Sequence, residues 1–185
     1  MSKTRQPDEP VIDRTVRVES LPPGGETITI GVPPGSLGAL AEAIGAERVL
    51  EARAELHLAP AAGGAVQVKG RAKAVVERVC VVTLDPFEAV IDEPIEVRFA
   101  PLAEVEAAEA RLRNHPAEDD SEPPDVPEPI VNGAVRLGRL VEEFLALGVD
   151  PYPRKPGAAF AGGPGEADAR VSPFAALATL RNKLS

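Results

Sequence analysis

Apolar and polar residues alternate along much of the first hundred positions, which is typical of β-strands with one buried face. Val16 and Val18 form a short alternating run, and a second run contains Ile28, Ile30 and Val32. The sequence LPPGGE between the two runs has the proline and glycine content of a turn. Together they predict a first antiparallel hairpin.

A short helix is predicted after this hairpin. Ser36 is placed to cap it, and Gly45 is placed to end it. Between them the apolar residues have helical spacing, at Leu37, Leu40 and Ile44.

Longer strands are predicted next. Residues 50–58 alternate strictly, and the turn PAAGG leads to a partner that continues through Leu84. Around Cys80 both faces of this partner are apolar, which predicts a central position covered on both sides. The stretch from 89 to 99 alternates again, and its Pro94 predicts an edge or a bulge because proline has no N–H for a ladder.

The second half of the chain predicts helices. Residues 102–114 form a candidate helix with few large apolar side chains, and Asn132-Gly133 is a tight-turn dipeptide. The helix that follows has an apolar stripe at Leu137, Leu140, Val141 and Phe144. A terminal amphipathic helix begins with the capping pair Ser172-Pro173, and its stripe contains Phe174, Leu177, Leu180 and Leu184. This stripe could pack on the sheet or bind in a groove of a partner protein.

These elements predict an α+β fold with one antiparallel sheet, either open or curled towards a barrel, and two or three helices. A disordered segment 1–12 and a single domain at 13–185 are expected. Within the domain, the acidic, proline-rich loop 114–128 and the Gly/Pro-rich segment 154–171 are expected to be mobile.

Composition excludes several classes of function. The net charge of −9 argues against broad, charge-driven binding of nucleic acid. Cys80 is the only cysteine, so no intrachain disulfide can form, and with only two histidines no metal site is expected. No apolar run is long enough to cross a bilayer, and the first ten residues do not resemble a secretory signal, so a cytoplasmic protein is predicted.

No catalytic constellation is found in the sequence. The glycine-rich stretches lack the Lys-Ser/Thr ending of a phosphate loop, and no Gly-x-Ser-x-Gly motif is present. Cys80 lies among valines and is expected to be a buried, structural residue. The chain is therefore predicted to be no enzyme, with neither a cofactor nor a small-molecule substrate.

Three segments in this order resemble the YceD family: VERVCVVTLDPFEAVIDEPIEVRF, EPIVNGAVRLGRLVEEFLALGVDPYPRKPGAAF and SPFAALATLRNKL. The variant without further cysteines resembles the alphaproteobacterial branch. The family often has Cys-x-x-Cys where this chain has Cys80 and Thr83, and Ile-Asp-Leu where it has Val135-Arg136-Leu137. Loss of the second thiol removes metal and redox chemistry from what the resemblance implies. What remains is a role in accumulation of large-subunit (23S) ribosomal RNA, in ribosome biogenesis.

Two modes of action are compatible with this resemblance. In the first, the protein contacts RNA through Tyr152, Arg154 and Lys155, which prolines hold outward, and through Arg181 and Lys183 of the terminal helix. The plainer interpretation of these residues is an exposed turn with ordinary charges. In the second mode the protein is an adaptor whose acidic loop holds a basic ribosomal protein or assembly protein without direct RNA contact.

Overall fold

The long strands form one open sheet in the computed structural model, which describes residues 10–114 and 126–159. The strand order is β2-β3-β4-β5-β6. All pairs are antiparallel except β5–β6, which is parallel and joins only Phe99 to Glu128 and Ala100 to Pro129. The bounds are β2 Glu26–Gly31, β3 Arg48–Pro60, β4 Val66–Val79, β5 Pro86–Ala100 and β6 Glu128–Pro129. The prediction of an α+β fold with an antiparallel sheet is confirmed, and the sheet does not close into a barrel.

A separate two-stranded ribbon replaces the predicted first hairpin. Its strands are β1, Thr15–Arg17, and β7, Ala134–Arg136, which pair antiparallel. The hairpin prediction is wrong because the inward side chain of Val16 lies opposite Val135, and both are buried there. β1 therefore pairs with a strand more than a hundred residues away.

Three helices are present in the described residues: α1 Leu37–Ile44, α2 Leu102–Asn114 and α3 Leu137–Leu147. α1 ends as predicted, with Gly45 in the left-handed conformation at φ 73°. Ser36 precedes α1, but its side chain makes no capping hydrogen bond. On α3 the buried stripe continues to Leu145, and Phe144 is only half-buried.

The core lies between one face of the sheet and the helices α1 and α3. α1 packs on β3, α3 packs on β4 and β5, and the two helices contact each other. The buried side chains of the sheet are mainly Val, Leu, Ile and Ala, as the composition predicts. The opposite face is polar and carries cross-strand ion pairs, including Arg71 Nε to Asp92 Oδ1 at 2.7 Å and Lys73 Nζ to Asp92 Oδ2 at 3.0 Å.

The chain is already packed against the core at residue 12, one residue before the domain was expected to begin. Ile12 is buried in the core, and its N–H donates to Oε1 of Glu142 on α3. The N–H of Gly138 in turn donates to the carbonyl of Arg14 at 2.9 Å. The N-terminal segment therefore crosses α3 at close range.

β4 ends at Val79, so Cys80 is not a residue of a covered central strand as predicted. It begins the turn to β5, and its neighbours Val79 and Val81 are exposed. The apolar run around Cys80 therefore reflects an exposed hairpin tip rather than burial on both sides. Pro94 lies where β5 has no partner on its outer edge, which confirms the edge position.

Several predicted features lie outside the described residues: most of the acidic loop, the segment 160–171, and the terminal helix with Arg181 and Lys183. None of the described helices is long and apolar enough to span a membrane.

Two helical glycines allow a matched test of the crossing at α3. A Cβ at Gly138 would overlap the carbonyl of Ile12, whereas a Cβ at Gly38 of α1 would meet nothing. We expect Gly138→Ala to lower the free energy of unfolding by about 1–3 kcal/mol through overpacking. Gly38→Ala should raise it by about 0.5 kcal/mol. Urea denaturation measures both, and a neutral Gly138→Ala would contradict the crossing.

Candidate functional site

The chain after α3 runs across the tip of the β4–β5 hairpin. The N–H of Val81 donates to the carbonyl of Pro153 at 2.9 Å, which attaches the tail to the turn. Inside the turn the N–H of Cys80 donates to Asp85 and the N–H of Leu84 donates back to Cys80, both at 2.9 Å. We call residues 80–85 and 150–156 the tip–tail junction.

Tyr152 and Arg154 are both exposed at this junction. Pro153 between them is buried, and its two neighbours are exposed. Tyr152 is 72% exposed, and its N–H is held by Asp150 Oδ1 at 2.8 Å. Arg154 is also exposed and has no ion-pair partner among the described residues. The structure therefore brings these two predicted site residues together on an anchored backbone.

Lys155 has a different environment from Arg154. Its Nζ lies 3.7 Å from Oδ2 of Asp85 on the hairpin turn. Both side chains are about half exposed, so the ion pair contributes little to stability, but it offsets the lysine charge. Among the predicted site residues that the structure describes, Arg154 is the cation most available to a partner.

The Cys80 thiol lies beneath the tail and is buried, as predicted. Its surroundings are not purely apolar, however. The Thr83 hydroxyl donates to the sulfur, and the backbone N–H groups of Lys155, Thr83 and Val82 point to it as well. These donors favour the thiolate over the opposing effect of desolvation, and they lower the pKa of Cys80 from 9.0 to about 7. Thr83, which stands where the family pattern often has a second cysteine, supplies the first of these contacts.

A second basic surface was missed by the sequence analysis. Arg17 and Arg136 lie on the outward face of the β1–β7 ribbon, because the inward positions are taken by Val16 and Val135. Arg17 Nη1 donates to the carbonyl of Asn132 at 3.1 Å. Neither arginine has an ion-pair partner among the described residues. Each follows a buried valine in a short strand, but nothing local in the sequence indicates that the two strands pair.

The described residues contain no group of three or more His, Cys, Asp or Glu side chains that could hold a metal ion. The Cys80–Thr83 turn offers one sulfur and one hydroxyl, which is not a metal-binding set. The junction presents one aromatic ring, one available guanidinium and a hydrogen-bonded thiol.

One comparison with known proteins identifies a similar group. Residues 68–181 match the family model described as "Large ribosomal RNA subunit accumulation protein YceD". The matched region starts in β4 and includes the whole tip–tail junction. No curated protein and no solved structure is similar enough to match.

The hydrogen bonds to Cys80 predict a pH dependence of stability. Because the pKa of Cys80 is lower in the folded protein, the unfolded chain binds more protons between pH of about 7 and 9. The free energy of unfolding should therefore rise with pH across this window, and the contribution should be lost as the pH falls through about 7. Urea denaturation at several pH values measures it.

Two variants isolate the thiol in this experiment. Cys80→Ser should remove the rise relative to the natural chain, and Thr83→Val should move its midpoint to higher pH because the largest stabilising donor is lost. The ultraviolet absorbance of the thiolate gives the same midpoint directly. A Cys80 that titrates near its ordinary value in the natural chain would contradict the assignment.

Proposed function

Because the chain belongs to the YceD family of large ribosomal RNA subunit accumulation proteins, we propose that it supports accumulation of 23S ribosomal RNA as a binding factor without catalysis. The family match carries this proposal, since it extends from residue 68 to residue 181 of a 185-residue chain. The family relates the chain to ribosome biogenesis. Direct RNA contact and the absence of catalysis are the finer parts of the proposal.

The tip–tail junction supports direct contact with RNA. An exposed aromatic ring can stack on an unpaired base, which contributes about 1–3 kcal/mol per base in single-stranded complexes. A neighbouring arginine can contact the phosphate of the same nucleotide or stack on a base itself. Tyr152 and Arg154 provide this pair on backbone that Pro153 and Asp150 hold in place.

The charge of the molecule favours a local contact over a broad one. At a net charge of −9 the protein as a whole repels phosphate. Basic side chains without an ion-pair partner, such as Arg154, therefore have to contact phosphate over a small area. A neighbouring aromatic ring helps, because its stacking on a nucleobase does not depend on charge. Arg181 and Lys183, outside the described residues, remain predicted contacts.

Binding without catalysis agrees with the chemistry of the junction. Cys80 is the one strong nucleophile of the chain, and it lies buried under the tail rather than beside an open cleft. A general acid or base would need to be positioned within hydrogen-bond reach of a substrate. The carboxylates at the junction, Asp85 and Asp150, contact Lys155 and the N–H of Tyr152 respectively.

The acidic middle of the chain supports the second candidate, a protein-interaction adaptor. Nine acids lie between Glu104 and Glu128, against Arg111 and Arg113. Such a concentration of one charge attracts a basic ribosomal protein, and the attraction weakens with salt.

Charge reversal at the junction tests RNA contact. We expect Arg154→Glu with Lys155→Glu to reduce cosedimentation with large-subunit precursors roughly tenfold and to leave the fold intact. Arg154→Glu alone should account for most of the loss, because Lys155 is already paired with Asp85. The control, Arg111→Glu with Arg113→Glu on α2, makes the same change in charge far from the hairpin tip. Unchanged cosedimentation of the double variant at the junction would reject these residues.

Deletion of residues 117–127 separates the two candidates. Direct RNA binding should survive or strengthen, because repulsion of phosphate falls, whereas capture of a basic protein should fail. A pulldown from growing cells with and without ribonuclease gives the readout. Recovery of partners that depends on RNA supports the first candidate, and recovery that persists without RNA but fails in the deletion variant supports the second. Normal 23S levels in cells lacking the protein would contradict both.

A further inference from the structure

An apolar groove of about 330 Å³ lies between α3 and the end of the sheet. Its floor is formed by apolar side chains from the sheet and the helix, which are Val97, Phe99, Leu140 and Phe144. Pro129, Val131 and Leu147 also line it. The groove therefore follows one face of α3 for two turns.

This groove is left without a partner in the described residues. Leu147 is 78% exposed and Phe144 is only half-buried, although both belong to the apolar side of α3. The neighbouring edge of β5 is also open, because β6 pairs with nothing before Phe99. Exposed apolar surface of this kind, next to an unpaired strand edge, marks a docking surface.

We propose that the C-terminal segment 173–184 of the same chain occupies this groove. Its sequence predicts an amphipathic helix with a stripe formed by Phe174, Leu177, Leu180 and Leu184. At a rise of 1.5 Å per residue the stripe is about 15 Å long. The α3 residues that line the groove, from Arg139 to Leu147, cover about 12 Å on the same basis. The lengths match.

The connecting chain is long enough for this docking. The tail is attached to the hairpin tip at Pro153 and is described as far as Ala159. The fourteen residues from there to Pro173 reach about 45 Å when extended. The distance along β5 from Pro86 at the tip to Val97 in the groove is about 36 Å for eleven residues. The segment can therefore reach the groove of its own molecule.

The lining of the groove carries charges of both signs, with Glu128 and Glu143 against Arg136 and Arg139. Glu128 lies on its rim and has no ion-pair partner among the described residues. The segment carries Arg181 and Lys183 beside its apolar stripe. Docking would allow one of these side chains to pair with Glu128, so the apolar stripe, and not the net charge of the groove, carries the fit. The inference does not depend on the proposed function, since it concerns only the packing of the chain on itself.

Disulfide trapping in the full chain tests the proposal. In a Cys80→Ser background, Leu147→Cys with Leu177→Cys should form an intrachain disulfide roughly tenfold faster than Leu84→Cys with Leu177→Cys. Leu84 is a matched control because it is a leucine with 75% exposure at the hairpin tip. The rate should not change when the protein is diluted.

Other occupants give distinguishable results. Disulfides that link two chains and weaken on dilution would show a second copy in the groove and overturn the proposal. Equal rates for both cysteine pairs would show a tail without a docking site, and would also overturn it. As a second readout, Phe174→Ser with Leu177→Ser should shift the methyl NMR signals of Leu147 but not those of Leu84, and an unmoved Leu147 would contradict docking.

Discussion

The apolar inner face of β3, β4 and β5 must be shielded from water. The packing of α3 on that face determines where the N-terminal segment, the tip–tail junction and the groove lie. α1 covers β3, while α3 covers β4 and β5. The N-terminal segment holds α3 in place through the contacts of Ile12 with Glu142 and of Gly138 with Arg14. Gly148 at the end of α3 lies against Ile91 and Glu93 of β5, where a side chain would not fit. The helix is thus fixed at both ends.

Both functional surfaces follow from this position of α3. Beyond Gly148 the chain is directed to the hairpin tip, where the carbonyl of Pro153 binds Val81 and the side chains of Tyr152 and Arg154 project outward. Along the edge of its apolar side, α3 lines the groove in which we propose that the C-terminal segment lies. The junction and the groove therefore depend on one packing interaction, and a variant that displaces α3 should affect both.

Ion pairing decides which of the many charges remain available. On the polar face of the sheet, acids and bases alternate across strands and neutralise one another, as with Arg71, Lys73 and Asp92. The buried Arg78 is paired with Glu47 of the loop before β3, with Nε and Oε2 2.7 Å apart. Among the described residues, exposed arginines without such partners are found at the junction and on the β1–β7 ribbon, and also at Arg14, Arg48 and Arg111. In an acidic protein, these few positions can attract phosphate.

The local pattern of apolar and polar residues was sufficient to predict β3, α1 and α3. Turn residues were sufficient to predict the end of α1 at Gly45 and the Asn132-Gly133 turn. Tyr152 and Arg154 were also identified as candidates, because prolines and charge are visible in the sequence. Tertiary structure alone decided that β1 pairs with β7, which puts Arg17 and Arg136 on one ribbon. It also decided that Lys155 is paired with Asp85 and that Thr83 and the tail donate to Cys80. The physical reason is distance along the chain. Periodicity tells which face of a segment is buried, but the partner of that face is chosen by packing between residues far apart in the sequence.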